Sequence, residues 1–190
     1  MKITVRSLTD SKEVLNSARV TVWKSALDKI PSDQFMAGIY MSEHSPIRDK
    51  IFAIEIEGIK SWIATHFVRH HNGVTPYVAT QRDDRLESEI PRDERGQGER
   101  VNMKMTLNAQ SFINISRKRK CHQAHKETVK VWEMVLDQLK EIDPQLYSRC
   151  VAECIYRGFC PELYPCGYTK TPKAKKERSE YTKNYSIIEV

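Results

Sequence analysis

Glycine and proline are scarce, 7 and 8 in 190 residues, which excludes a collagen-like or linker-dominated architecture. No apolar run approaches the roughly 20 residues of a membrane-spanning helix. The opening Met1-Lys2-Ile3-Thr4-Val5-Arg6 lacks the apolar stretch of a secretory leader, so the expected address is the cytoplasm. Internal repeats are absent. Cysteine occurs in an odd number, 5, which together with that address argues against a disulfide framework. Acidic residues are in deficit: 25 Asp plus Glu face 31 Lys plus Arg, leaving a net charge of +6. Such an excess attracts phosphates, on nucleic acid or on small nucleotides, and does not choose between them. Hydrophobic residues at 39% and charged residues at 29% suit a folded soluble chain of one compact domain and exclude a mostly disordered one.

The hydrophobic pattern predicts a helix-rich α+β domain with a small antiparallel or mixed sheet. A strand is expected over Ile3 to Val5, then a helix bearing Val14, Leu15, Ala18 and Val22. Ser32 is placed to cap a helix running to about Ser42, with Phe35, Ile39 and Tyr40 inward and Pro46 stopping it. Ile51 to Ile56 reads as a strand, and Lys60 to about His70 as a helix with Trp62, Ile63, His66 and Phe67 on one face. Asn72 to Thr80 reads as a loop entering a strand, and Arg82 to Arg100 as a charged, weakly ordered flap. From Val101 two long helices are expected, one with Leu107, Phe112, Ile113 and Ile115, the other with Val129, Trp132, Val135, Leu136 and Leu139. A last helix is expected from Gln145 to about Cys154. The expected organisation is a domain over residues 1–168, with a cysteine-rich segment at 150–166, and a basic flexible tail over 169–190. The apolar end of that tail, Tyr185 to Val190, is suited to dock onto the body.

Three segments carry candidate chemistry. Arg69-His70-His71 closes an amphipathic helix and precedes a glycine loop, which makes a phosphate grip. It equally makes a solvated helix end whose cations offset the helix dipole. Thr80-Gln81-Arg82 is a polar triplet leaving an apolar strand. In the helix from Leu107 to Arg119, Asn108, Ser111 and Ile115 share one side, and Gln110, Asn114 and Arg117 the neighbouring one. Amides repeated in this way face a ligand, a partner or plain solvent.

Taken in order along the chain, these pieces resemble the flavin-dependent thymidylate synthases, the ThyX family. Ala18-Arg19-Val20-Thr21 resembles an early Ala-Arg-Val-Ser stretch, and Glu43-His44-Ser45-Pro46 a His-x-Ser/Thr-Pro segment. His66-Phe67-Val68-Arg69-His70-His71 resembles the Gln-x-x-Arg-His-Arg that opens the family signature, and Thr80-Gln81-Arg82 the Ser-x-Arg that closes it. Asn108-Ala109-Gln110 with Asn114 and Arg119 resembles the Asn-Ala-Arg helix, and Ala124-His125-Lys126-Glu127 an Ala-Gln-x-Glu. The resemblance runs from about Ala18 to Glu127. It implies reductive methylation of dUMP to dTMP, with FAD as cofactor and NADPH and methylenetetrahydrofolate as co-substrates. It implies FAD contacts from Ser45, Arg69, His70, His71, Asn108, Gln110 and Asn114. Nucleotide contacts fall to His66, Arg69, Thr80, Arg82 and Arg119, with Arg119 the activating, catalytic cation. It also implies a homotetramer with sites shared between subunits, and no membrane partner.

The chain departs from the pattern where His71 and Gln110 stand in place of arginines and His66 in place of a glutamine. The stretch between Arg82 and Asn108 is short, leaving Arg92, Arg95 or Arg100 to replace a phosphate-binding arginine. Outside the resemblance lies Cys150-x3-Cys154-x5-Cys160-x5-Cys166, four thiols that either stay free or hold zinc. Two further readings stand beside the enzyme. One is a redirected, non-catalytic nucleotide-binding module. The other is a nucleic-acid-binding protein using Arg117-Lys118-Arg119-Lys120 and the basic tail, although the aromatic interleaving of single-strand binders is missing there.

Overall fold

The computed structural model describes residues 1–183. Four strands form one antiparallel sheet in the order β1 (Lys2–Ser7), β2 (Ile51–Lys60), β4 (Arg100–Asn108), β3 (Val74–Val78). Helices α1 (Ser11–Val20) and α2 (Asp33–Met41) lie between β1 and β2, and α3 (Ser61–Val68) between β2 and β3. After β4 come α4 (Ala109–Arg119), α5 (Lys126–Ile142), α6 (Pro144–Tyr147), α7 (Glu153–Arg157) and α8 (Pro172–Lys183). The α+β, helix-rich expectation holds.

Strand β4 corrects the helix expected from Val101. Val101, Met103, Met105 and Leu107 are buried while Asn102 and Lys104 are exposed, the period of two that a half-buried strand requires. The change to a helical period comes at Asn108, whose side chain accepts a hydrogen bond from Ser111 N and caps α4. Ser32 caps α2 as expected, but Pro46 does not stop that helix. The chain already turns at Glu43, with φ +48°, and Pro46 opens a 3-10 turn over Ser45–Asp49. Val22 lies beyond α1, and α3 ends at Val68, before His70. The single helix expected over Gln145 to Cys154 is instead α6 and α7 with an irregular link between them. The basic segment expected to be a flexible tail forms α8 over Pro172–Lys183, with Ala174 and Tyr181 buried. Tyr185 to Val190 lie outside the described residues.

Trp132 of α5 centres the core. Its ring lies 5.7 Å from Phe67 and 5.6 Å from Phe112, and its indole N–H donates to Ser116 Oγ at 2.9 Å. Phe112 meets Phe52 edge-on at 5.1 Å, so α4 and α5 are locked over β2. Tyr40 donates to Asp143 Oδ2 at 2.7 Å, tying α2 to the cap of α6. Helix α5 also covers the outer edge of β1, where Gln138 accepts from Val5 N at 2.8 Å and donates to Ile3 O at 2.5 Å. On the opposite edge, Ala79 N donates to Asn102 O and Asn108 N to Gly73 O. The odd-numbered residues of β3 therefore bond inward, and Pro76, which has no N–H, falls on the outer side.

Candidate functional site

Helix α3 buries Ile63, Ala64 and Phe67, which leaves the orphan carbonyls of its last turn facing the end of α4. Arg119, in the last turn of α4, answers them: Nη2 donates to His66 O at 2.5 Å, and Nε donates to His70 Nε2 at 3.0 Å. His70 Nε2 is therefore the acceptor, and its ring proton belongs on Nδ1. Burial, with Arg119 and His71 alongside, pushes the His70 pKa down to about 4, so the ring is neutral and keeps its lone pair on the arginine. His66 Nδ1 lies 2.9 Å from Thr128 Oγ1. Burial, then the charges of Arg119 and Arg69, lowers its pKa as well.

At the other end of α4 the packing is closer. Ser111 Oγ sits 2.7 Å from Asn72 O and 3.0 Å from Gly73 O, and Asn108 Oδ1 lies 2.9 Å from that same hydroxyl. Gly73, at φ +68°, approaches so nearly that a Cβ there would fall 2.6 Å from Ser111 Oγ and nearer still to Asn108 Nδ2. This close approach joins two hollows that share Asn72, Ser111 and Asn114. One, of about 190 Å³, is lined also by Arg69, His70, His71, Val74 and Ile115. The other, of about 420 Å³, is lined also by Arg48, Gly73, Asn108 and Gln110. Arginine cations, imidazoles, side-chain amides and the first turn of an 11-residue helix thus meet in a depression of nucleotide dimensions. The donor set and the glycine-lined approach fit an anionic, many-acceptor ligand such as FAD.

Of the residues expected at a site, the structure brings Arg69, His70, His71, Asn108, Gln110 and Asn114 onto these walls, with Arg119 and His66 directly behind His70. It does not bring Thr80 or Arg82. Both are exposed beyond β3, and Arg82 grips Asp84 through Nε at 2.8 Å and Nη2 at 2.7 Å. Ser45 is exposed at the start of the 3-10 turn and lines neither hollow. Arg48, three residues on, does line one, and sequence reasoning missed it; residues i and i+3 eclipse in a 3-10 turn, so the Ser-Pro start was the available signal. Gln110 donates to Glu43 Oε2 at 2.6 Å, beside an Arg117–Glu43 ion pair. The Gln110 amide is thereby tied to Glu43 and Arg117. None of the three substitutes for the phosphate arginine reaches the hollows. The Arg95 side chain is buried at the root of the 82–99 loop, donating to Gln81 O, Ile90 O and Asp83, and Arg100 donates to Gly58 O.

The four cysteines expected to act together are divided. Cys150 is buried in the main core, where burial pushes its pKa up to about 12. Cys154, Cys160 and Cys166 gather instead with Cys121. Among the described residues no group of three or more His, Cys, Asp or Glu could hold a metal ion. No described helix is long and apolar enough to cross a membrane.

No family model matches the sequence, and no curated protein matches it. Solved structures do. The thymidylate synthase ThyX of Helicobacter pylori with FAD and dUMP superposes with a TM-score of 0.66 at 14% identity, over 80% of this chain and 99% of that one. A second structure of that complex gives 0.61 at 13% identity, over 80% and 100% of the two chains. PolB, a UMP/dUMP methylase from Streptomyces cacaoi bound with 5-Br dUMP, gives 0.59 at 14% identity, over 83% and 96%. At such low identity the likeness speaks to architecture, and the architecture of this chain is that of the flavin-dependent thymidylate synthases.

Proposed function

We propose that this chain is a flavin-dependent enzyme that methylates a pyrimidine nucleotide, converting dUMP to dTMP with methylenetetrahydrofolate as carbon donor and NADPH as reductant. The observation that carries the reading is Arg119, bonded to His70 and to His66 O directly behind the wall that His70 gives the depression, in a fold whose solved relatives hold FAD and dUMP. FAD, reduced by NADPH, supplies the hydride. Arg48 and Arg69 would offer cations to its phosphates and His71 its imidazole, and Asn108 and Asn114 would offer amides, the Gln110 amide being already engaged by Glu43. His70 positions Arg119 from its neutral lone pair. With Nε and Nη2 engaged, the guanidinium has N–H donors left to polarise a uracil carbonyl and stabilise charge developing on the ring. The enzyme works as a cytoplasmic homotetramer, in which Ser45, Thr80 and Arg82 reach a neighbour's nucleotide or flavin rather than their own.

The test is FAD titration of the purified full chain, followed by turnover with dUMP and, separately, UMP. A flavin spectrum that shifts on binding, and methylated product from either nucleotide, is the expected result. Absence of any spectral or calorimetric response at high FAD overturns the flavin reading. Nucleotide binding without turnover would leave the non-catalytic module.

A further inference from the structure

Glu43 follows the end of α2 in a left-handed conformation, at φ +48°. Residues with a Cβ are uncommon there, and glycine or asparagine is the ordinary choice just past a helix end. The conformation aims the Glu43 carboxylate at α4, and both of its oxygens are engaged. Oε1 pairs with Arg117 Nη2, and Oε2 accepts from Gln110 Nε2 at 2.6 Å. The Arg117 and Glu43 side chains are 12% and 21% exposed, so solvent ions screen the pair little. Arg117 Cζ also lies 3.6 Å from the centre of the Tyr156 ring on α7, a cation–π contact that fixes the guanidinium plane.

These two charges fix the orientation of two amides. A carboxylate paired with a guanidinium only accepts, so the end of Gln110 that faces Glu43 is its NH2. The same Nε2 lies 3.3 Å from Asn114 Oδ1, and Arg117 Nη1 lies 3.4 Å from that oxygen. Both of these neighbours are donors, so Asn114 turns its oxygen to them and its NH2 away. Gln110, with its NH2 engaged twice, has Oε1 left for a ligand. Gln110 and Asn114 both line the larger hollow. We propose that Glu43 and Arg117 are positioning residues that set the hydrogen-bonding polarity of this hollow, an acceptor at Gln110 beside donors at Asn114. Such a wall takes a neutral edge on which an N–H or O–H stands next to an oxygen, as on a flavin ring or its ribityl chain. It does not take a phosphate, whose oxygens would meet the Gln110 oxygen. An arginine at 110 would pair with Glu43 and add no phosphate contact. The choice of flavin as ligand rests on the function proposed above; the orientation of the amides does not.

The experiment uses the full-length chain, first without ligand. In 1H–15N spectra the side-chain NH2 of Gln110, identified by its loss in Gln110→Met, should exchange with solvent more slowly than that of exposed glutamines. Glu43→Ala should bring it to their rate, and Glu43→Gln, which keeps one accepting oxygen, part of the way. Exchange as fast as theirs in the unaltered protein, or no response to either variant, overturns the orientation. Lumiflavin, riboflavin, FAD and inorganic pyrophosphate are then titrated. Gln110→Met should weaken riboflavin and FAD about threefold to tenfold and leave pyrophosphate unchanged, and Gln110→Arg should not tighten pyrophosphate. An equal loss for lumiflavin assigns the edge to the ring, and a loss for riboflavin alone assigns it to the ribityl hydroxyls. Weaker pyrophosphate with unaltered riboflavin in Gln110→Met, or tighter pyrophosphate in Gln110→Arg, overturns the proposed polarity. Failure of the unaltered chain to bind any flavin overturns the flavin reading alone, because the exchange rates decide the orientation without it.

Discussion

Arg119 joins a backbone carbonyl and an imidazole through one planar fork, and a lysine cannot reproduce that pair of directions. Charge-assisted hydrogen bonds are worth about 1.5–3 kcal/mol. Arg119→Ala should therefore weaken nucleotide binding or turnover about tenfold or more, and Arg119→Lys should recover little; unchanged affinity and rate in both would remove the residue from the site. Gly73 combines a left-handed backbone with a Cβ collision against Asn108 and Ser111. Gly73→Ala should cost about 1–3 kcal/mol, seen as a lower thermal midpoint together with weaker FAD binding. His70 gives a pH effect of definite sign. Its folded pKa of about 4 lies below the ordinary imidazole value of about 6.5, so the unfolded chain takes up the proton first. The stability it contributes is complete above about pH 6.5 and is lost as pH falls toward 4. His66, shifted the same way, adds to it. In urea midpoints measured across that window, His70→Asn should flatten the acid limb; an identical slope would mean that a neutral His70 is not required. At this scale the walls of the hollows were legible where side-chain chemistry and chain order coincide, as at Arg69, His70, Asn108 and Asn114. They were not legible where a side chain's partner lies far along the chain: nothing in the sequence near Gln110 announces that Glu43 takes its amide.

Elements differ in how plainly their periods speak. Helix α5 has an uninterrupted apolar stripe, with Val131, Trp132, Val135, Leu136 and Leu139 buried; its run from Trp132 to Leu139 was readable, although Val131 takes the buried place expected of Val129, which is half-buried. Strand β4 was not, because Met and Leu favour helices and the apolar run continues into α4. Only the alternation of Val101, Met103 and Met105 and the cap at Asn108 separate the two. Helix α8 was missed for the opposite reason: Ala174 and Tyr181 alone are buried in twelve residues, too sparse a face to stand out from its charges. The joint between α4 and α5 is polar and dry. Ser116 Oγ accepts from the Trp132 indole and donates to Phe112 O at 2.7 Å, fully buried. Ser116→Ala strands the indole N–H and should lower stability by about 1–3 kcal/mol in denaturant titration. FAD affinity should be unaltered, since Ser116 lines neither hollow; a loss of binding larger than the loss of stability would show that the joint also shapes the site.

For the whole molecule, the positions of Thr80 and Arg82 and the segment 21–30, exposed at every residue with Trp23 at 100% accessibility, fit an assembly in which subunits share sites. If so, two defects on different subunits should complement. Arg82→Ala and Arg119→Ala should each lower turnover about tenfold or more alone, and co-expressed as mixed oligomers they should regain part of it. No recovery in verified mixed oligomers would confine each site to one chain. Such an assembly has to be built from helices and loops, because the sheet is closed to extension. Along β1 the outward N–H of Val5 and C=O of Ile3 already belong to Gln138, and along β3 the outward row is broken at Pro76. An incoming strand finds an occupied edge on one side and a missing donor on the other. A chain with many exposed apolar side chains is thereby kept from stacking strand upon strand into fibres, whatever else it binds.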